Sequence, residues 1–156
     1  MTDFQQFEAD ALLMMTQCSE ANFTSWASPS GMEVEVSRIM YRSPRTEADG
    51  RIGGIFHCGD RFFLQCLEGP CEALRFYFER TREDERHRNV EVTLLTPLDR
   101  RRFRRGTMSY AGLRQPLLDL QRRNGQGDFN PYRFDQAMIE EFIGLYLEHR
   151  RQRRRA

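Results

Sequence analysis

Gln65 stands in the middle of Phe62-Phe63-Leu64-Gln65-Cys66-Leu67-Glu68-Gly69, an amide within an apolar run. Burying a carboxamide costs free energy unless its donors and acceptor find partners. At a period of two, Gln65 shares a strand face with Phe63 and Leu67, so the amide is expected on the buried side. Such a group can hold or report on a polar ligand. Farther on come Asp84, Arg86 and His87, then Arg102-Phe103 and Met108. No activated Ser or Cys accompanies Asp84, Arg86 and His87, so they form no nucleophilic triad. A helix-ending role, with cationic groups near the C-terminal dipole, is the simpler reading. The basic run Arg100–Arg105 reads as a solvated, partly salt-bridged edge; nucleic-acid contact by this run together with the arginine-rich tail is the weakest alternative and would require steep salt dependence. No catalytic residues and no metal ligands are expected.

The bulk properties narrow the class. The chain has 156 residues, enough for one domain with a real core and some additional helix. Its formal net charge is +1, so the whole molecule is no evident polyanion binder. All 24 basic residues are arginine, which reads as the codon bias of a GC-rich genome. Cys18, Cys58, Cys66 and Cys71 show neither Cys-x-x-Cys nor zinc spacing and suit a reducing compartment as small hydrophobes. With no signal peptide and no long apolar run, the expectation is a soluble, cytoplasmic protein without membrane contact.

The positioning elements follow from periodicity. Phe4, Phe7, Ala11, Met14, Met15 and Cys18 fall on one side of a helix over residues 4–18, with Thr2 and Gln5 as a capping box. Residues 19–31 read as a loop. Met32 to Arg42 reads as a strand ending near Tyr41, and 44–51 as a turn-like link. Ile52–Cys58 and Arg61–Leu67 form a hairpin about Gly59-Asp60. Pro70 opens a helix with an inward stripe of Leu74, Tyr77, Phe78 and Thr81. Strands are expected near 90–95 and 105–110, and helices over 116–121 and 135–150. The arginine-rich tail reads as frayed. The fold class is α+β: a ferredoxin-like mixed sheet of about five strands, helices on one face, and a C-terminal helical cap. The units are residues 1–31 (N-terminal helix and loop), 32–110 (core), 111–150 (C-terminal helices) and 151–156 (basic tail).

The ordered set Phe-Leu-Gln-x-Leu-Glu-Gly, Asp-x-Arg-His, Arg-Phe and Met resembles the BLUF family, the flavin-binding blue-light sensors. The resemblance runs from about Glu35 to Met108. It implies FAD as cofactor, lying between two helices on the sheet. It implies a strand-one Tyr as electron and proton donor, which Tyr41 matches in Arg-Ile-Met-Tyr-Arg-Ser. Gln65 matches the strand-three Gln between that Tyr and the ring, and Met108 matches the last-strand Met. The Trp usual two residues before that Met is Gly106 here.

The family keeps about two dozen residues, including its first helix and a flavin-binding Asn, between the Tyr and the second strand. Here Pro44–Arg51 leaves eight residues, spanning at most about 28 Å. The chain is therefore read as an atypical member lacking the usual first crossover helix. The N-terminal segment Ala11–Asn22 would replace it ahead of strand one and supply Asn22 to the flavin. The alternative is that Phe7, Met14 and Met15 fill the groove and exclude flavin. The functional expectation is a blue-light sensing module, not an enzyme, signalling through a partner protein, with homo-oligomerisation open. The alternative is a flavin-free degenerate relative acting as a protein-interaction module.

Overall fold

The computed structural model describes residues 3–22 and 50–156. A short 3₁₀ turn, Phe4–Gln6, is capped by Asp3, whose carboxylate accepts from the Gln5 amide at 2.8 Å. Strand β1 is Leu12–Ala21, β2 is Gly53–Gly59 and β3 is Phe62–Pro70. Helix α1, Cys71–Glu83, is followed by β4, His87–Pro97, and β5, Met108–Tyr110. Helices α2, Arg114–Arg123, and α3, Gln136–Arg155, close the chain around a 3₁₀ turn at Pro131–Arg133. The mixed sheet has the order β4-β1-β3-β2-β5.

The expected N-terminal helix is corrected to a strand. Residues 12–21 pair antiparallel with both β3 and β4, which makes β1 a central strand. The six residues that mimicked a helical stripe are divided by the sheet. Met14 and Cys18 pack under the C-terminal helices, whereas Phe4, Phe7, Ala11 and Met15 pack with α1. A strand buried on both faces reads as a continuous apolar run, and periodicity alone does not separate it from a buried helix.

This correction also removes the missing crossover. β1 and β2 both run antiparallel to β3, so they are parallel to each other with β3 between them. Residues 22–52 make that connection, which is ample for a parallel crossover. The strand expected over Met32–Arg42 lies outside the described residues, as does the expected link 44–51 except for its last two residues.

The hairpin forms as expected. Asp60 and Arg61 take φ of 48° and 73°, the left-handed geometry of a two-residue turn, and Gly59 pairs with Phe62. The small residues of β2 serve close packing: a Cβ on Gly54 would lie 2.5 Å from the Cys66 carbonyl oxygen.

The sheet carries one core on each side. On one, Met14, Ile55, Leu64 and Cys66 meet Leu117 and Leu120 of α2 and Met138, Ile139, Phe142 and Ile143 of α3. On the other, Leu13, Met15, Ile52 and Leu67 meet Cys71, Ala73 and Leu74 of α1. Asp135 caps α3 by accepting from the Met138 amide at 2.9 Å. The helix runs unbroken to Arg155 where fraying was expected.

Candidate functional site

The α1 side of the sheet holds a row of polar side chains among apolar ones. In β1 the odd positions face this side: Leu13 and Met15 belong to its core, and Gln17 and Ser19 follow at the same period. Gln17 lies directly opposite Gln65 of β3, and Phe56 of β2 flanks Gln65 on the other side. The Gln17 Nε2 donates to Gln65 Oε1 at 2.7 Å, and Gln65 Nε2 donates to the Tyr77 hydroxyl of α1 at 2.8 Å. The guanidinium of Arg80 lies 5.3 Å above the Tyr77 ring.

Gln17 is 1% exposed, and its Oε1 has no hydrogen-bond partner among the described residues. An acceptor buried without a donor costs about 1–3 kcal/mol. Reversing both amides preserves the two hydrogen bonds: Gln65 then donates to Gln17 and accepts from Tyr77. The unpaired Gln17 atom changes from oxygen to nitrogen. The row therefore has two hydrogen-bonded settings, and a polar group beside Gln17 would choose between them.

One step along, Ser19 Oγ lies 2.9 Å from His87 Nδ1, and the His87 ring packs 4.9 Å from Phe63. Burial pushes the His87 imidazole down to about 4, with Asp84 opposing and Arg86 assisting, so the ring is neutral at pH 7. Asp84 accepts from the backbone N–H and the guanidinium of Arg86. Burial alone would raise the Asp84 carboxyl, but the Arg86 hydrogen bonds and charge outweigh it and hold it below its usual value. These residues close the turn after α1.

The other expected site residues divide as follows. Met108 pairs with Gly54 at the sheet edge and packs on the α1-side core, the same face as Gln65. Asn22 closes the end of β1: its backbone N–H donates to Arg86 O at 2.8 Å and its side chain to Glu85 O at 3.2 Å. Tyr41 lies outside the described residues. β1 itself contains no tyrosine, and its residue facing Gln65 is Gln17.

Sequence reading passed over Gln17 and Glu68. The alternation of Leu13, Met15, Gln17 and Ser19 was the available signal for the first. Glu68 is fully buried and accepts from the backbone N–H groups of Arg102 and Phe103 at 2.7 and 3.0 Å and from Arg102 Nε at 2.8 Å. Arg102 also binds Glu140 of α3 at 2.7 Å, so one arginine ties β3 to the last helix. The four cysteines are free and buried, and burial raises their thiols, Cys18 to about 12 and Cys58 to about 11. They are inert packing groups. Among the described residues no cluster of His, Cys, Asp or Glu could hold a metal, and no helix is long and apolar enough to cross a membrane.

Residues 13–109 match the family described as BLUF, sensors of blue-light using FAD. The chain belongs to the BLUF family. Its fold is similar to that of BlsA in the photo-activated state, with a TM-score of 0.70 and 24% identity over 87% of this chain and 94% of that one. It is also similar to BlrB, described as a BLUF protein in its dark state, with a TM-score of 0.59 and 27% identity over 87% and 97% of the two chains. Photoactivated adenylate cyclase subunit beta of Euglena gracilis is 30% identical over 86 residues, 55% of this chain and 10% of that protein. The chain thus spans about a tenth of that relative. As in the family, a five-stranded sheet carries helices and a C-terminal helical cap.

The residues fit a flavin in part. Gln65, Met108 and the Gln17 oxygen, which has no partner among the described residues, lie on the α1 face of the sheet, and the family resemblance implies a ring lying between helices on the sheet. The strand-one donor does not fit: an amide cannot give up an electron as a phenol does. Nor do residues 23–52 contain an asparagine to match the family's first-helix Asn.

Proposed function

We propose that this chain is a BLUF regulatory module that takes a flavin, FAD by the family's habit, on the Gln65 face of its sheet. It would catalyse no reaction of its own and signal in the cytoplasm by contact with a partner protein. The observation that carries this reading is the row Gln17–Gln65–Tyr77, a hydrogen-bonded polar line across a largely apolar face. A bound flavin would supply absorption in the blue. The chain's own residues would supply the rest. Gln65 would orient toward the ligand, Gln17 would offer the oxygen that has no partner among the described residues, and Tyr77 would carry into α1 the amide setting that the bound ligand selects. The relative named as a photoactivated cyclase supports an output through a regulated protein.

A second reading, a flavin-free interaction module, is favoured by Gln17 at the position facing Gln65 and by the lack of asparagine in residues 23–52. One experiment separates the two. Protein purified in the dark is incubated with excess FAD, stripped of free cofactor by gel filtration, and scanned before and during blue illumination. A retained flavin band, reduced in the Gln65→Leu variant, supports the first reading. A colourless protein overturns it in favour of the second.

A further inference from the structure

The loop that carries one arginine cluster is held against the helix that ends in another. The loop between β4 and β5 carries Arg100, Arg104 and Arg105, all exposed, and Arg101 and Arg102, half-buried. The last two turns of α3 carry Arg150, Arg151, Arg153, Arg154 and Arg155. The rings of Phe103 and Tyr146 stand 6.2 Å apart, and Arg102 binds Glu140, so the loop is fastened along α3 just before its basic end. On a helix, Arg150 lies one turn beyond Tyr146 on the same face, about 6 Å on, with Arg153 and Arg154 a further turn away. Arg104 follows Phe103 directly.

The charge distribution is lopsided. With the five arginines of 150–155 set aside, 19 of the 24 basic residues stand against 23 acidic ones, so the rest of the chain carries a formal charge of −4. Only Arg151 of these five has an ion-pair partner among the described residues, Glu148 at 3.6 Å. Arg100, Arg104 and Arg105 have none there.

We propose that the Arg100–Arg105 loop and the basic end of α3 form one surface that binds the phosphate backbone of double-stranded nucleic acid. Guanidinium groups pair with phosphate oxygens in a bidentate fork. A membrane surface is the poorer match. Helices that lie on membranes bury a face of Trp, Phe or Leu, whereas the exposed turn Arg151-Gln152-Arg153-Arg154-Arg155 carries no apolar residue. Binding of this kind tracks the backbone without reading base sequence.

The test is fluorescence anisotropy of the full chain with a labelled duplex of about 20 base pairs, beside vesicles containing phosphatidylserine. Binding is expected at about 50 mM salt. With about five phosphate contacts it should weaken by about 20-fold for each doubling of salt. Arg104→Glu with Arg105→Glu, and separately Arg153→Glu with Arg154→Glu, should each weaken it by more than tenfold. The same pairs as Arg→Gln serve if charge reversal disturbs the circular dichroism spectrum. No duplex binding at low salt, or binding to vesicles alone, would overturn the proposal. So would loss through the helix pair with none through the loop pair, since the surface would then not be shared. The outcome is independent of flavin retention.

Discussion

Gln17 and Gln65 face each other across β1 and β3, joined by an amide–amide hydrogen bond of 2.7 Å. The strand-one position that meets the central glutamine of this BLUF sheet is thus itself a glutamine. Gln17→Tyr would put a phenol against Gln65. In protein that retains FAD, wild type is expected to show no red shift of the flavin band under blue light. The variant is expected to gain one that recovers in the dark. Difference spectra of the two proteins check this, and a reversible shift in wild type would sink the expectation.

The same pair can be weighed by stability. Gln65→Leu strands the buried Gln17 amide and should cost about 1–3 kcal/mol. Adding Gln17→Leu removes the stranded group, so the double variant should recover most of that loss. Urea denaturation of the two single variants and the double one gives the coupling directly. Equal, additive losses would mean that the hydrogen bond contributes nothing.

Glu68 answers three donors from a fully buried position. Glu68→Ala leaves two backbone N–H groups and the Arg102 guanidinium without their acceptor. The expected loss is about 3–5 kcal/mol. Because Arg102 also holds Glu140, amide hydrogen exchange should accelerate in α3 as well as around residues 101–103. Exchange confined to the loop would show that α3 is held without this link.

Acid should weaken the fold through its two buried histidines. Burial pushes both His57 and His87 down to about 4. Unfolded, each binds a proton near its ordinary value of 6.5, so between those limits the unfolded state holds more protons. Stability is complete above about pH 6.5 and falls as pH drops toward 4, by about 3 kcal/mol at most for each ring. His57 sits between Phe129 and Phe142, and its Nδ1 has no partner among the described residues, so His57→Leu should flatten the profile. Chemical denaturation midpoints from pH 7 to 4.5 measure the slope.

Legibility in the sequence followed the amount of punctuation. The hairpin was marked by Gly59-Asp60, α1 by Pro70 and α3 by Asp135, and each element formed near its marks. Gln65 stood out because an amide in an apolar strand demands partners. β1 was misread because both of its faces are buried: Leu12-Leu13-Met14-Met15 offers no polar alternation until Gln17 and Ser19. That single error hid the crossover. Glu68 was invisible for another reason. Its partners lie more than thirty residues away in a loop, and no local pattern announces a buried carboxylate.

β1 also fixes the order in which the molecule can assemble. It is the strand flanked by β3 and β4, yet its partners follow about 50 and 75 residues later in the chain. Neither pairing can form until a long loop has closed, and that entropy is lost before any ladder bond is gained. Local structure such as the β2–β3 hairpin and α1 can form within microseconds, while β1 waits as an unpaired apolar segment. Folding should therefore be slow for a chain of this size. The interval before β1 inserts is when the protein is most exposed to strand-to-strand aggregation.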